Sequence, residues 1–131
     1  MKTRNASPLI MVADRDELER AQLKAVLKLK GFRVLEAASG PQAFELATEH
    51  RPDLLLLDLQ LPLLRGAEAI SQIRREPCLR RTPIITVSNH ANGNRNLPLD
   101  PLTVHASRPI EFTRLDLYLA QFLPKARSFA A

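Results

Sequence analysis

The sequence predicts an α/β domain built on a doubly wound, five-stranded parallel sheet, and three observations support this prediction. Apolar segments of strand length alternate with longer amphipathic segments along the chain. The apolar segments place Leu, Ile and Val at consecutive positions, which is typical of strands buried on both faces. The connections between segments are short, as in right-handed strand–helix–strand units. We therefore expect helices on both faces of the sheet.

Five segments are predicted to form the strands, because each is short, apolar and bounded by polar or turn-forming residues. They are PLIMVA at 8–13, FRVLEA at 32–37, DLLLLDL at 53–59, TPIITVS at 82–88 and LTVHA at 102–106. The third strand is the most apolar and carries a carboxylate, Asp58, near its end. An isolated buried carboxylate is costly. Asp58 must therefore either cap a turn or lie in a cleft that accommodates charge.

Four segments have the apolar spacing of an amphipathic helix, namely 16–30, 40–50, 66–76 and 111–123. Asp16 and Ser39 are the predicted N-caps of the first two, and Gly31 is a predicted helix stop. The predicted inward-facing residues are, helix by helix, Leu18, Ala21, Ala25, Val26 and Leu29; Ala43, Phe44 and Ala47; Ala67, Ile70 and Ile73; and Phe112, Leu115, Leu119 and Phe122.

One segment interrupts the alternation. A further helix is expected after the fourth strand, but NHANGNRNLPLDP at 89–101 contains four asparagines, two prolines and a glycine. Proline and the absence of apolar periodicity disfavour a helix there. We predict that a loop with at most one helical turn replaces the fourth helix.

Composition indicates one ordinary globular domain, with 131 residues, 45% of them hydrophobic and 25% charged. No apolar run approaches the ~20 residues that span a bilayer, so no membrane association is expected. The start of the chain lacks the apolar core of a signal peptide. A single cysteine, Cys78, allows no internal disulfide and suits a reducing compartment. We expect a cytoplasmic chain with a single domain over 1–131 and a core over 8–123.

The whole chain has a formal net charge of +5, and the excess positive charge lies in its second half. Arg74, Arg75, Arg80 and Arg81 form a candidate patch for an acidic partner; the alternative is an ordinary solvated face. Nucleic acid is a disfavoured partner, because aromatic residues do not interleave with these arginines and the chain has no Trp and one Tyr.

Polar residues follow the predicted strands where ligands of open parallel sheets bind, beyond the carboxyl ends. Asp14 follows the first strand, Asp58 ends the third with Gln60 close behind, Ser88 ends the fourth, and Arg108 follows the fifth. Carboxylate and carbonyl oxygens suit Mg²⁺, and hydroxyl and guanidinium groups suit phosphate oxygens. The sequence predicts a site for a divalent cation and a phosphoryl group at this edge.

Taken together, these features resemble the receiver domain of two-component response regulators over nearly the whole chain. The likeness rests on MVAD at the first strand, on D-x-x-x-P-x-x-x-G at Asp58, Pro62 and Gly66, on IITVS at the fourth strand, and on Arg108-Pro109. It implies a flavodoxin-like fold with strand order 2-1-3-4-5. It also implies a phosphorelay module that signals by protein–protein contact and is not an enzyme.

The resemblance implies a role for each candidate residue. Asp58 would accept a phosphoryl group from a histidine kinase or phosphotransfer protein. Asp14, Asp58 and the backbone carbonyl of Gln60 would bind Mg²⁺. Ser88 would supply the hydroxyl that moves towards the phosphoryl group, and His105 stands where the family has an aromatic residue that turns inward with it. A downstream protein would respond to that change.

Two positions depart from the family pattern. Ala13 replaces the first of two adjacent acids, which predicts weaker Mg²⁺ binding. Asp16 or Glu17 would compensate from the helix start, although each also fits a purely local role at the helix N-terminus. Arg108 replaces the usual lysine. Its planar guanidinium would either hold a phosphoryl group or pair permanently with Asp58.

Three interpretations remain at this point. The first is a receiver phosphorylated on Asp58, which the retention of Asp14 and Ser88 favours. The second is a pseudo-receiver that binds proteins without phosphorylation, which Arg108 and the interrupted fourth helix favour. The third is a phosphatase of the haloacid-dehalogenase type, suggested by D-x-D at Asp14 and Asp16. That third class needs a downstream lysine and a second acidic pair in a larger chain. After Lys30 the only lysine in this sequence is Lys125.

Overall fold

The structure is a computed structural model that describes residues 7–63, 66–89 and 100–123. The strands are β1 (Leu9–Ala13), β2 (Arg33–Ala37), β3 (Leu54–Asp58), β4 (Ile84–Ser88) and β5 (Thr103–Ser107). The helices are α1 (Glu17–Leu29), α2 (Gly40–His50), α3 (Gly66–Arg75) and α4 (Phe112–Phe122). Every predicted strand and helix is present, with bounds shifted by no more than two residues.

The strands form one parallel sheet in the order β2-β1-β3-β4-β5, which confirms the predicted topology. The chain passes from β1 outward to β2 and then returns across β1 to β3. Strand order therefore reverses between β1 and β3, and their carboxyl ends border the crevice where such sheets bind ligands.

Helices cover both faces of the sheet. On one face, Leu23 and Leu27 of α1 and Leu115 and Leu119 of α4 pack with alternate strand residues such as Ile10. On the other face, Ala43 and Ala47 of α2 and Ile70 and Ile73 of α3 pack with the intervening strand residues, including Leu55. Across the described residues, no helix has the length and apolar character needed to cross a membrane.

The predicted inward face of α1 is wrong. The helix buries Leu23 and Leu27, whereas Leu18 is 68% exposed and Leu29 is 89% exposed. Phe112 of α4 was likewise predicted to face inward and is 54% exposed. The predicted inward residues of α2, Ile70 and Ile73 of α3, and Leu115 and Leu119 of α4 are confirmed. The predicted inward side chain of Ala67 lies outside the part of the chain that the structure describes.

Charged residues lie beside the buried face of α1. Arg20 and Lys24 lie on the same side of the helix as Leu23 and both reach Glu36 of β2, at 3.2 and 2.8 Å. The Arg20 Nη1 also donates to the backbone carbonyl of Asp14 at 2.7 Å. Because the aliphatic stems of Arg and Lys can cover apolar surface while their charged ends find partners, this face is compatible with burial despite its charges.

The helix termini follow local signals. The Asp16 side chain accepts hydrogen bonds from the backbone of Leu18 and Glu19, and Ser39 caps α2 in the same way through Gln42. Gly31 follows α1 with a φ of 96°, a conformation that glycine adopts without steric cost. The loop predicted at 89–101 lies largely outside the described residues, which end at Asn89 and resume at Asp100.

Candidate functional site

The carboxyl edge of the sheet brings the predicted site residues together. Asp14 follows β1 and Asp58 ends β3, and these strands are adjacent, with Ala13 opposite Leu57. Ser88 ends β4, where its backbone carbonyl accepts a hydrogen bond from the Arg108 N–H at 2.7 Å. Asp14 and Asp58 are only 3% and 2% exposed. Two carboxylates thus lie side by side in a largely buried setting.

Backbone donors hold the Asp58 carboxylate. Its Oδ1 accepts from the Gln60 N–H at 2.9 Å, and its Oδ2 accepts from the Arg15 N–H at 3.1 Å. These donors belong to the loops that follow β3 and β1. Charge-assisted bonds of this kind offset part of the cost of burying the carboxylate. The carboxylate at the end of the most apolar strand is therefore part of a polar cleft.

The Arg108 guanidinium contacts three carboxylates at once. Its Nη2 lies 2.7 Å from Asp58 Oδ1, in an ion pair that lacks the geometry of a directed hydrogen bond. Its Nη1 lies 2.7 Å from Glu19 Oε2 and 3.4 Å from Asp14 Oδ2. Burial works against the charged form of Arg108, but Asp58 and the other two carboxylates outweigh it and raise its pKa above the ordinary value. Arg108 therefore remains a cation.

The pKa of Asp14 is raised to about 6. Burial is the main cause, and the negative charges of Asp58 and Glu19 add to it. The hydrogen bond from the Asp16 N–H, at 2.8 Å, and the charge of Arg108 act in the opposite direction. The folded protein thus keeps this carboxylate in an environment that resists its ionisation.

The side chains of Arg15, Gln60 and Asn89 are joined by hydrogen bonds beside Asp58. The Gln60 Oε1 accepts hydrogen bonds from Arg15 Nη2 at 2.9 Å and from Asn89 Nδ2 at 3.1 Å. The Arg15 Nε lies 3.9 Å from Asp58 Oδ2. The three side chains come from the loops after β1, β3 and β4, so their contacts join three loops at the rim of the site.

Glu19 is the site residue that the sequence interpretation missed. For Asp16 and Glu17 the sequence left open compensation for the acid lost at position 13 or a local role at the helix start; Asp16 is the N-cap of α1, as predicted, and Glu17 is exposed. Glu19 is three residues after the N-cap, where a glutamate often reaches back to the N-cap N–H. Here that N–H donates to Asp14 instead, and the Glu19 carboxylate contacts Arg108.

Ala13 ends β1, directly before Asp14. Its side chain is buried with the apolar residues that face α2 and α3. A carboxylate at this position would enter that apolar layer at its edge. The substitution therefore removes one negative charge from the neighbourhood of the site and adds a packed methyl group.

His105 contacts the neighbouring strand. Its Nδ1 lies 2.6 Å from Thr86 Oγ1, and its Nε2 is buried. Thr86 is the direct neighbour of His105 in the β4–β5 register and precedes Ser88 by two residues. The imidazole is thus held against β4 at the position where the resemblance implies a switch residue.

Arg74 does not belong to the predicted exposed arginine patch. Its guanidinium contacts the Asp100 carboxylate at 3.3 Å, Thr103 Oγ1 at 2.8 Å and the Thr82 carbonyl at 2.6 Å. It also lies within hydrogen-bond distance of the backbone carbonyls of Leu79, Arg80 and Leu102. These contacts tie the end of α3 to the segments that lead into β4 and β5. Arg74 is therefore a structural residue, whereas Arg75, Arg80 and Arg81 are exposed.

The oxygen atoms at this edge fit a hard divalent cation. Asp14 and Asp58 would supply carboxylate ligands and Gln60 a backbone carbonyl, which is the ligand chemistry that Mg²⁺ prefers. Within residues 7–63, 66–89 and 100–123, no three His, Cys, Asp or Glu side chains are grouped closely enough to hold a metal by themselves. A cation here would thus depend on the carbonyl and on water for its remaining ligands.

Comparisons with known proteins agree with this geometry. The family described as response regulator receiver domain matches residues 10–125. The chain is 28% identical over 119 residues to the polar-differentiation response regulator DivK of Brucella anthropi, across 89% of this chain and 97% of DivK.

Solved structures give the same result. The receiver domain of a sensor histidine kinase from Pseudomonas aeruginosa, with a magnesium ion coordinated in its active site cleft, has a TM-score of 0.81 and 28% identity, covering 91% of this chain and 99% of that one. The chemotaxis protein CheY4 of Vibrio cholerae shares the fold, with a TM-score of 0.78 and 21% identity over 90% of this chain and 100% of CheY4. The family match covers most of the chain and coincides with the sheet and its carboxyl-edge site, and the chain therefore belongs to the response regulator receiver domain family.

Proposed function

We propose that this receiver domain takes up a phosphoryl group on Asp58 from a histidine kinase or phosphotransfer protein and signals to a downstream protein by contact. The observation that carries the proposal is the placement of Asp58 at the end of β3, with Asp14 beside it and the Arg108 guanidinium 2.7 Å from its Oδ1. In this role the domain is a phosphoprotein of two-component signalling and does not turn over a substrate of its own.

The side chains at this edge fit the chemistry of that transfer. An Asp58 carboxylate oxygen would form the new bond to phosphorus, while the bond between phosphorus and the donor histidine nitrogen breaks. A bound Mg²⁺, held by Asp14, Asp58 and the Gln60 carbonyl, would neutralise charge on the transferred group. Arg108 is placed to bind phosphoryl oxygens, because a guanidinium pairs with such oxygens in a bidentate way.

The surface next to the site suits a protein donor. An apolar groove of about 300 Å³ lies between the start of α1 and the loop before α4, lined in part by Leu18, Pro109, Ile110 and Phe112. Pro109 adjoins Arg108, and Glu19, which also lines the groove, contacts Arg108. A donor that presents a phosphohistidine to Asp58 must cover this rim. We propose that it packs apolar residues against Leu18 and Phe112.

Intact-protein mass after incubation with a small-molecule phosphodonor and Mg²⁺ tests the proposal. We expect one labile phosphoryl adduct on the wild-type chain and none on Asp58→Asn. Asp116→Asn is the matched control, because Asp116 is an exposed carboxylate of α4 away from the site, and it should be modified like the wild type. An adduct that persists in Asp58→Asn would place the acceptor elsewhere.

A phosphorylation-independent pseudo-receiver is the second candidate. The observation in its favour is the contact of Arg108 with both carboxylates of the site. If neither small-molecule donors nor a range of histidine kinases and phosphotransfer proteins modify the wild type at any Mg²⁺ concentration, this second function replaces the first.

A further inference from the structure

The Arg108 guanidinium contacts the Asp14 and Asp58 carboxylates, whose oxygens a divalent cation would also need as ligands. Asp14 Oδ1 accepts the Asp16 N–H, and Asp14 Oδ2 faces Arg108 at 3.4 Å. Asp58 Oδ1 faces Arg108 at 2.7 Å, while Asp58 Oδ2 accepts the Arg15 N–H. Asp58 Oδ1 also accepts the Gln60 N–H, and Asp58 Oδ2 also lies 3.9 Å from Arg15 Nε. In each carboxylate, one oxygen faces the Arg108 guanidinium and the other is held by a backbone N–H.

Two cations cannot share these oxygens without strong repulsion. At contact distance in a poorly solvated site, like charges repel far more than they do in water. Arg108 is largely buried, and a guanidinium stays charged at any physiological pH, so it does not lose its charge to make room. A metal can enter only if the guanidinium gives up part of its contact with Asp14 and Asp58.

Glu19 offers the guanidinium another partner. Its carboxylate lies 2.7 Å from Arg108 Nη1, closer than Asp14 does, and it projects from α1 and not from the edge of the sheet. It is also not among the oxygens proposed to bind the metal. An arginine held by Glu19 can turn away from Asp14 while remaining charged, paired and near enough to bind a phosphoryl group.

We propose, on the basis of the function proposed above, that Arg108 is an internal cation which competes with the divalent metal, and that Glu19 is a positioning residue which holds Arg108 during the exchange. The domain would thus set its own metal affinity through a pair that links α1 to the loop after β5. Ala13 leaves the site without the acid that the family pattern has at this position. Glu19 of α1 supplies a third negative charge beside Asp14 and Asp58, and this charge contacts Arg108.

Calorimetric titration of the purified chain with Mg²⁺ tests this without any phosphorylation. We expect Arg108→Met, which removes the competing charge, to bind Mg²⁺ about tenfold more tightly or better than the wild type. Glu19→Gln should bind about threefold more weakly or worse, because Arg108 then relies on Asp14 and Asp58 alone. Glu17→Gln is the matched control, since it removes the same charge from the same turn of α1 at an exposed position, and it should change affinity by less than about twofold.

The double variant separates the two roles. In the Arg108→Met background, Glu19→Gln should have no larger effect than Glu17→Gln, because the side chain on which Glu19 acts is absent. The inference is overturned if Arg108→Met binds Mg²⁺ no more tightly than the wild type. It is overturned equally if Glu19→Gln weakens binding to the same extent in both backgrounds, which would mean that its own charge attracts the metal.

Two further measurements keep the result interpretable. Circular dichroism must show each variant folded. If Arg108→Met is not, Arg108→Gln takes its place, since a neutral amide also removes the competing charge and should give an affinity above that of the wild type. The phosphoryl-adduct mass is recorded separately. Tighter Mg²⁺ binding in Arg108→Met with no adduct on the wild type would leave this inference standing while the proposed function fails, and the reverse result would do the opposite.

Discussion

The ionised form of a single residue, Asp14, is disfavoured by its surroundings in the folded protein. The carboxylate is buried beside Asp58 and Glu19, and Arg108 offsets only part of the resulting penalty. The pKa of Asp14 in the folded protein, about 6, is above the ordinary value of 3.8. The folded state therefore binds a proton at Asp14 more tightly than the unfolded state does. This contribution to stability is fully present below pH about 4 and is lost as pH rises through about 6.

We expect Asp14→Asn to stabilise the fold at neutral pH, because it removes a buried charge from a crowded acidic site. At pH 8 without divalent cations, the free energy of unfolding should rise by on the order of 2 kcal/mol. The gain should shrink towards pH 4, where Asp14 is protonated in the wild type. Urea denaturation at both pH values measures it, with Asp116→Asn as the exposed control. A variant less stable than the wild type at pH 8 would contradict this account of Asp14.

Arg108 is one of the two residues at which this chain departs from the family pattern described above. A lysine ammonium is a compact point charge, whereas the guanidinium presents separate nitrogens to separate partners. In this structure two nitrogens contact carboxylates from three different elements, namely the start of α1, the end of β1 and the end of β3. A lysine could not make this set of contacts in one conformation. The substitution therefore changes which parts of the fold are linked through the site.

Among the secondary-structure elements, Arg74 connects the end of α3 to the segments around β4 and β5. It joins the end of the helix to Asp100 and Thr103 and to backbone carbonyls on the way into β4 and β5. Burial works against ionisation of Asp100, but hydrogen bonds from Thr103, from the Leu102 N–H and from Arg74 outweigh it and lower its pKa. This ion pair thus contributes stability at neutral pH that is lost as pH falls below the ordinary pKa of an aspartate.

Arg74→Met should destabilise the domain by about 2–4 kcal/mol, because several backbone carbonyls and Asp100 lose their charged donor. Arg75→Met is the matched control from the next position of α3, where the side chain is exposed. It should change the free energy of unfolding by less than about 0.5 kcal/mol. Thermal and urea unfolding at pH 7 compare the two. Equal effects would show that Arg74 is not the structural member of this pair.

Helix α1 has an exposed leucine near each end, Leu18 and Leu29, and only Leu18 is close to the site. Leu18 lines the groove beside Arg108, whereas Leu29 is exposed at the opposite end of the same helix. If a protein donor packs on the groove, a charge at Leu18 should disturb it and a charge at Leu29 should not.

We therefore expect Leu18→Glu to slow phosphoryl transfer from a phosphotransfer protein by about tenfold, with little effect on modification by a small-molecule donor. Leu29→Glu should leave both rates close to those of the wild type. Rates come from rapid-quench measurements with labelled donor. Slowing of both kinds of transfer by Leu18→Glu would indicate damage to the site itself and would remove the support for a docking role of the groove.

For the whole molecule, the parallel sheet is what makes a site out of residues far apart in sequence. Parallel strands end at one edge, so four strands deliver their following residues to the same crevice. Arg108 and Asp14 are separated by 94 positions and still lie 3.4 Å apart. Of the predicted arginine patch, Arg75 at the end of α3 and Arg80 and Arg81 in the segment before β4 are exposed.

The succession of strands and helices along the chain, and the residues collected at the carboxyl edge, could be predicted from the sequence. Consecutive apolar residues, helix caps such as Asp16 and the acid at the end of β3 are local signals, and local signals suffice where each element has one reasonable length and type. Strand order followed from the family resemblance and was confirmed.

Three features could not be predicted without the folded structure: which face of α1 is buried, what Glu19 contacts and whether Arg74 is exposed. Apolar spacing gives the period of a helix, but α1 has two apolar stripes, and only the one with Leu23 and Leu27 packs against the sheet. The partners of Glu19 and Arg74 lie far away in sequence. A side chain's hydrogen-bond partner depends on where distant strands place their ends, and that is settled only when the sheet has formed.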